Sequence, residues 1–248
     1  MTLDVEFAER SDTGMQRAHN QDSLGHVIPA SPASARSHGW LFVLADGVGG
    51  TERGELASRT AVEYLTRGFR QASPAEGLSA LLLRLAQEAN ERIYQTGREH
   101  SPGGTSMATT LVACAFRYDR VAVAHAGDSR CYLVRQGQAR LLTRDHTGAQ
   151  EALSRSLGTD LFVGIETSEI QVYPGDVLLL CCDGLYRSIL PSEMAALAAP
   201  GADLNLAAQS LVEIANQRDG SDNISVQLIR VRSVERVGMY RGQPYKLR

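Results

Sequence analysis

The order of strand-like and helix-like apolar patterns along the chain constrains its fold more than any other sequence feature. Apolar runs at 5–11 and 22–28 and the buried-strand pattern L-F-V-L-A at 41–45 come first. Residues 54–71 and 78–95 then repeat apolar side chains about every three to four residues, which indicates amphipathic helices. The chain therefore begins with strands and continues with a pair of helices.

The second part of the chain extends this alternation. Tight polar turns separate four strand-like segments of a β-meander, at 109–116, 121–126, 131–135 and 139–143. The later predicted elements are a short helix at 148–157, strands at 165–173 and 177–182, helices at 191–199 and 204–217, and a strand at 223–231. Loops are predicted at 29–39 and 97–106. This order predicts an α+β fold, a four-layer αββα sandwich of two antiparallel sheets flanked by helices.

Length and composition fit one domain at 1–232 followed by a basic C-terminal tail at 233–248. The chain has 248 residues, of which 43% are apolar and 21% charged, and these fractions are ordinary for a globular protein. A formal net charge of −3 argues against a general nucleic-acid or anionic-membrane binder. The N-terminus lacks a secretory signal, and no apolar run could span a membrane. We expect a cytoplasmic monomer.

Three aspartates recur at the ends of apolar strand patterns. Asp46 ends L-F-V-L-A-D, Asp183 ends L-L-L-C-C-D, and Asp222 precedes the last strand. Asp-Gly is a common hairpin turn, but Asp46 and Asp183 lead toward helices rather than second strands. A carboxylate at the rim of an apolar sheet is costly unless it is paired or bound to metal. Without a competing His/Cys cluster, this pattern favours an oxygen-seeking cation such as Mg²⁺ or Mn²⁺.

Seven short motifs in a fixed order extend this pattern over about residues 10–231. They are R-A-H-N-Q-D (17–22), A-D-G-V-G-G (45–50), A-T-T-L-V (108–112), H-A-G-D-S-R (125–130), T-R-D-H (143–146), C-C-D-G-L (181–185) and D-N-I-S (222–225). The set resembles the bacterial branch of the metal-dependent 2C-type (PPM) serine/threonine protein phosphatases. Each motif is weak alone, but seven in order and at plausible spacing are specific.

The resemblance implies a set of metal ligands. Asp46 would bridge two cations, Asp183 and Asp222 would complete the first site, and the Gly47 carbonyl would serve the second. Asp128 resembles the ligand of a third, weaker metal shared with Asp183, although G-D-S is also a good turn between strands. The resemblance thus implies two or three Mn²⁺ or Mg²⁺ ions per chain.

The resemblance also implies how substrate and water are handled. Arg17 matches the arginine that grips the substrate phosphate, because its planar fork pairs two oxygens at once. Asp22 would position a metal-bound water, which attacks phosphorus in line. Phosphoserine and phosphothreonine of proteins are the implied substrates, and a serine/threonine kinase acting on the same proteins is the implied partner. No covalent nucleophile is required.

The sequence departs from the family pattern at three places. Gln21 replaces the usual Glu ligand of the second metal, so one negative charge is missing. Val48 stands where animal relatives carry a histidine that protonates the leaving group. Only a short connector, 148–152, stands where bacterial relatives place a flap subdomain. Gln21 leaves open an inactive, phosphoprotein-binding relative, and a phosphatase of small molecules is a second alternative.

Overall fold

The computed structural model of the chain describes residues 3–48, 52–100, 107–148, 152–241 and 243–246. The strands are β1 (Asp4–Asp12), β2 (Asp22–Val27), β3 (Trp40–Val48), β4 (Ala108–Thr109), β5 (Leu111–Arg117), β6 (Arg120–Ala126), β7 (Arg130–Arg135), β8 (Gln138–Leu141), β9 (Glu166–Gln171), β10 (Val177–Cys181), β11 (Ile224–Ser233), β12 (Val237–Tyr240) and β13 (Gln243–Lys246). The helices are α1 (Pro32–Ser37), α2 (Glu52–Gln71), α3 (Leu78–His100), α4 (Asp183–Tyr186), α5 (Pro191–Leu197) and α6 (Leu204–Arg218).

The strands form two large antiparallel sheets and a hairpin. One sheet has the strand order β1-β11-β10-β7-β8, and the other has the order β2-β3-β5-β6-β9 with β4 paired to β3. Helices α2 and α3 pack on the second sheet, while α6 packs on β1 and β11 of the first. The predicted four-layer αββα sandwich is therefore confirmed.

Continuous apolar runs form central strands here because both faces of each strand are covered. Leu41 and Val43 of β3 lie in the core beneath α2 and α3, whereas Phe42 and Leu44 lie in the core between the sheets. Successive side chains of a strand point to opposite faces. The same alternation occurs in β10, where Leu179 faces the helices and its neighbours face the other sheet. Ordering β3 and β10 in this way fixes the positions at which both strands end.

Two local predictions are wrong. The predicted loop at 29–39 contains α1, whose first turn is capped by the Ser31 side chain with Pro32 next to it. The predicted helix at 148–157 is absent from its described residues, since Thr147 bridges Leu153 and Leu157 bridges Thr109. Leucines spaced four apart imitated a helical face, but their backbones hydrogen-bond to other segments.

The C-terminal tail has more structure than its aperiodic sequence predicted. Strands β12 and β13 form an antiparallel hairpin, so regular structure continues beyond the end of β11 at Ser233. Before the hairpin, the largely buried Glu235 accepts a hydrogen bond from Arg36 at 3.1 Å, which ties this part of the tail to the domain. None of the helices in the described ranges combines the length and apolar character needed to cross a bilayer.

Candidate metal centre

An acidic cavity of about 230 Å³ opens where strands of both sheets end. Asp46 enters it from β3 of one sheet, and Asp183 and Asp222 enter it from the adjoining ends of β10 and β11 of the other. Its lining residues are Arg17, Gln21, Asp46, Gly47, Val48, Thr110, Asp128, Leu153, Asp183, Arg187, Asp222 and Asn223. The cavity thus brings together every predicted site residue except Asp22. Gly49 and Gly50 of the second motif lie outside the described residues.

Asp22 lies on the strand next to Asp46 and is not among the residues that line the cavity. The two residues are register partners between β2 and β3. Asp22 is buried, and neither of its carboxylate oxygens has a hydrogen-bond partner among the described residues. Burial raises the pKa of this carboxyl to about 6, although the nearby Ser225 hydroxyl and Cys182 thiol, which hydrogen-bond to Ser11 and Asn223 instead, offset part of the shift. A buried carboxylate without partners is a group that a cation or a bound water would satisfy.

Hydrogen bonds between the A-T-T motif and the Asp46 backbone hold the end of β3 that carries Asp46. The Asp46 amide donates to the Thr110 hydroxyl at 3.0 Å, and the Asp46 carbonyl accepts from the Thr110 amide at 2.8 Å. The Thr109 hydroxyl donates to the same carbonyl at 2.8 Å. These bonds leave the Asp46 side chain as the part of the residue that faces the cavity.

Close backbone packing explains the glycines that border the cavity. A Cβ atom on Gly47 would lie 2.3 Å from the Gly54 carbonyl oxygen and 2.8 Å from the Gln21 carbonyl oxygen. A Cβ on Gly54 would lie 2.8 Å from Nε2 of Gln21. There is therefore no room for a side chain where β3 meets the first turn of α2 and Gln21. This close packing fixes Gln21 at the edge of the cavity.

Asn223 and Arg17 join the loop before β2 to the cavity. The Asn223 side-chain NH₂ group donates to the backbone carbonyls of Thr13 and His19 at 2.9 and 3.0 Å. Its Oδ1 accepts from the backbone N–H of Gln21 at 2.8 Å. Arg17, on the same loop, donates from Nη2 to Oδ2 of Asp222 at 2.7 Å. The Arg17 side chain is 45% exposed, so the loop presents a guanidinium at the mouth of the cavity.

Crowding of carboxylates makes this cavity electrostatically unfavourable by itself. Burial, together with the charge of Asp22, raises the pKa of Asp46 well above its usual value. Burial and the neighbouring Asp183 raise the pKa of Asp128 to about 6. Burial also raises the pKa of Asp183, although the Arg187 guanidinium opposes that shift. Carboxylate and carbonyl oxygens are the ligands that Mg²⁺ and Mn²⁺ prefer, so the residues present fit divalent cations.

The loop that carries Asp128 is held by a polar network. The Gly127 amide donates to Nδ1 of His146 at 3.2 Å, and the His146 amide donates to the Gly127 carbonyl at 3.0 Å. Arg130 forms a bidentate ion pair with Asp145 at 3.0 and 2.7 Å. These contacts give His146, which the sequence left without a chemical role, a local structural one.

His125, His146 and Glu166 also place three potential ligand atoms within 4.8 Å of one another. The two imidazole rings are stacked, with centroids 4.7 Å apart and planes inclined by 18°. Nearly parallel rings direct their nitrogen lone pairs along similar directions instead of toward one point. Glu166 already pairs with His146 at 3.0 Å and with Arg155 at 3.1 Å. This group is a satisfied hydrogen-bonded network beside the cavity.

Several cavity residues escaped the sequence analysis. Thr110 and Asn223 belong to quoted motifs; Asn223 directly follows Asp222 in the sequence, whereas Thr110 meets Asp46 only through the pairing of their strands. Leu153 directly follows the short connector; it bridges Thr147 and lines the cavity. Arg187 has a local signal, because it follows Asp183 by four residues and such pairs share one helical face.

Comparison with known proteins agrees with this fold and cavity. The protein phosphatase 2C family model matches residues 15–218. A serine/threonine phosphatase, Stp, of Listeria monocytogenes is 30% identical over 242 residues, covering 89% of this chain and 93% of its own. The serine/threonine protein phosphatase PstP of Mycobacterium tuberculosis is 34% identical, covering 91% of this chain and 45% of its own.

A solved structure extends the agreement to three dimensions. The catalytic domain of PstP in complex with two manganese ions superposes with a TM-score of 0.78 at 31% identity, covering 94% of this chain and all of that one. These matches confirm the predicted family, the enzyme class and the dependence on Mn²⁺ or Mg²⁺. The chain belongs to the protein phosphatase 2C family and is a serine/threonine protein phosphatase.

Proposed function

We propose that this phosphatase hydrolyses phosphoserine and phosphothreonine in proteins at a centre of two divalent cations held by the acidic cavity. One observation carries the proposal. Carboxylates from the ends of both sheets converge in one cavity without enough positive charge to balance them, and an exposed arginine stands at its mouth. A serine/threonine kinase that acts on the same proteins would supply the substrate.

The ligand assignments follow from the positions of the side chains. Asp46, in the middle of the cluster, would serve both cations, and Asp183 and Asp222 would complete one site. The Gly47 carbonyl and the Gln21 amide oxygen would contribute to the other, next to the first turn of α2. When bound, the cations would supply positive charge that polarises phosphate oxygens and makes water a stronger acid.

Arg17 is suited to bind the phosphate group of the substrate. Its guanidinium forms a charge-assisted hydrogen bond with Asp222 at 2.7 Å, so it lies within reach of a proposed metal ligand. A phosphate held there would face the acidic cavity with its ester oxygen toward solvent. Binding the phosphate and not the alcohol accounts for activity on both phosphoserine and phosphothreonine.

Asp22 is suited to orient the attacking water. Its two carboxylate oxygens are buried without partners among the described residues, so Oδ1 or Oδ2 would accept a hydrogen bond from a water that reaches Asp22 from the neighbouring metal centre. Its register pairing with Asp46 brings the two side chains side by side on one face of the sheet. Val48 lines the cavity and has no ionisable group, so it cannot act as a general acid. The leaving alkoxide would take its proton from water.

The short connector at 148–152 bears on substrate selection. Thr147 and Leu153 form a bridge, and the Gly148 amide donates to the Ala152 carbonyl at 2.8 Å, so the two ends of the connector lie side by side. We propose that the absence of a flap at this point leaves the cleft open. Few side chains would then contact residues flanking the phosphoserine, and discrimination among peptide sequences would be weak.

The test is phosphate release from a panel of phosphopeptides that differ in phosphoresidue and in flanking sequence. With Mn²⁺, phosphoserine and phosphothreonine peptides should be hydrolysed, phosphotyrosine peptides should not, and EDTA should abolish activity until Mn²⁺ is restored. Values of kcat/KM should stay within about a hundredfold across flanking sequences, which is near 3 kcal/mol of discrimination. Binding of phosphopeptide without release, or turnover of small phosphomonoesters alone, contradicts the proposal.

A further inference from the structure

A second arginine lies inside the acidic cavity, beside the carboxylates that would hold a third cation. Arg187 directly follows α4, and its Nη2 atom pairs with Oδ2 of Asp183 at 3.3 Å. Residues four apart on a helix share one face, so Asp183 and Arg187 point into the same space. Arg187 and Asp128 both line this cavity of about 230 Å³. The guanidinium therefore lies near both carboxylates of the presumed third site.

The Asp128 carboxylate is already engaged by neighbouring protein groups. The Tyr186 hydroxyl donates to Oδ2 of Asp128 through a long hydrogen bond of 3.5 Å. The Arg130 guanidinium stacks over the Tyr186 ring, 3.6 Å from its centroid, and is fixed by Asp145. Asp128 thus has a tyrosine hydroxyl as a partner, on a ring that Arg130 holds in place, and it shares the cavity with Arg187.

We propose that Arg187 supplies the positive charge between Asp128 and Asp183, and that this phosphatase consequently binds two divalent cations and not three. The inference builds on the two-cation centre proposed above. A third dication would have to enter next to a guanidinium that already pairs with Asp183, and repulsion between like charges opposes that entry. A side chain also keeps its charge in place when Mn²⁺ is scarce, which a weakly bound ion does not.

The experiment counts Mn²⁺ ions bound per chain by equilibrium dialysis with elemental analysis, up to millimolar free Mn²⁺. The wild-type protein should bind two. Arg187→Gln should bind a third ion at least about tenfold more tightly than the wild type, because the repelling charge is gone. Arg187→Lys, which keeps the charge, should stay at two. Arg84→Gln is a matched control, since Arg84 is 43% exposed and pairs with Glu76 away from the cavity.

The double variant Arg187→Gln with Asp128→Asn should return to two ions, because the added site needs that carboxylate. A wild-type protein that binds three ions, one of them lost in Asp128→Asn, overturns the inference. So does an Arg187→Gln protein that remains folded by circular dichroism and still binds two. A separate measurement tests the two-cation centre itself. If that centre is wrong, Asp46→Asn will still bind both ions, whatever Arg187→Gln does to a third ion.

Discussion

Two neighbouring clusters of ionisable side chains differ in how their charges are balanced. Asp46 in the acidic cavity and Asp22 beside it are crowded by like charges, and burial raises the pKa of each. In the adjoining network, Asp145 is paired with Arg130, and Glu166 is paired with His146 and Arg155. The network places three potential ligand atoms within 4.8 Å of one another, yet of the two clusters it is the cavity whose negative charge the described protein groups leave unbalanced.

The difference teaches that proximity of ligand atoms does not identify a metal site. Close carboxylates cost free energy in the folded protein unless a cation neutralises them, whereas paired charges are already satisfied. A cation should therefore stabilise the acidic cavity and have no comparable effect on the network. Removing a carboxylate charge should therefore stabilise the metal-free protein at the cavity and destabilise it in the network. The following predictions test this difference.

The largest effect is expected from Asp46→Asn. Two cations lose a shared ligand, and several kcal/mol of charge stabilisation disappear, so kcat should fall about 10³-fold or more. Bound Mn²⁺, counted by elemental analysis, should fall with it. Asp145→Asn in the network is the comparison variant and should retain the bound Mn²⁺. A folded Asp46→Asn protein with near-normal kcat would remove Asp46 from the centre.

Arg17→Ala should act mainly on substrate binding. Losing a charge-assisted contact with phosphate costs about 1.5–3 kcal/mol, so KM should rise roughly 10- to 100-fold with a smaller change in kcat. Arg17→Lys should recover only part of this, because an ammonium group lacks the planar fork. Arg218→Ala is a matched control, since both side chains are 45% exposed and ion-paired. Unchanged kinetic constants in Arg17→Ala would make Arg17 a surface residue only.

Asp22→Asn should stabilise the metal-free protein at neutral pH. Burial raises the pKa of Asp22 in the folded protein to about 6, above the ordinary value of an aspartate near 4, so its ionisation destabilises the fold as pH rises from about 4 to 6. Above that range, the neutral amide should increase the free energy of unfolding by about 1–3 kcal/mol, and near pH 4 or below it should change little. Urea unfolding of EDTA-treated protein at pH 4 and 7.5 measures this.

Asp145→Asn provides the opposite case in the same experiment. It breaks a bidentate pair with Arg130 that is only 24% exposed on each side, so it should lower the free energy of unfolding at pH 7.5. Stabilisation by both substitutions, or by neither, would mean that the two clusters do not differ in charge balance. Equal loss of stability in Asp22→Asn would show that its carboxylate is satisfied by partners other than cations.

The sequence predicted the layers of the fold because burial on both faces leaves a local pattern. The apolar run at 41–45 belongs to β3, and the run at 177–182 contains β10. Helix α1 was missed because a helix of six residues, capped by Ser31, is too short to repeat apolar side chains at helical spacing. The region 148–157 was misassigned because the partners of Leu153 and Leu157 lie elsewhere in the chain or across the connector.

The candidate site was predictable where it coincides with strand ends. Asp46 and Asp183 were identified from the apolar runs before them, and the structure brings both into one cavity. Arg130 stacked on Tyr186 could not be predicted, because that contact joins segments more than fifty positions apart. The roles of these residues remain predictions that the substitutions above decide.

The smallest expected effect concerns Gln21, at the least charged side of the cavity. Its backbone is fixed by the Asn223 side chain, the Gly47 amide and the Ser58 hydroxyl, at 2.8, 3.1 and 2.6 Å, so an isosteric substitution should not move it. Gln21→Glu adds one negative charge to a cluster that already lacks balance. That charge should lower the stability of the metal-free protein and strengthen binding of the second cation.

We therefore expect Gln21→Glu to reduce the Mn²⁺ concentration for half-maximal activity about 3- to 10-fold, or roughly 0.6–1.4 kcal/mol. The same variant should melt at a lower temperature in EDTA and regain more stability than the wild type when Mn²⁺ is added, because ligand binding stabilises the folded state. Gln138→Glu, which adds the same charge at an exposed position of β8, controls for net charge. An unchanged Mn²⁺ requirement combined with the lower melting temperature would place Gln21 near the carboxylates but outside the second cation's ligand set.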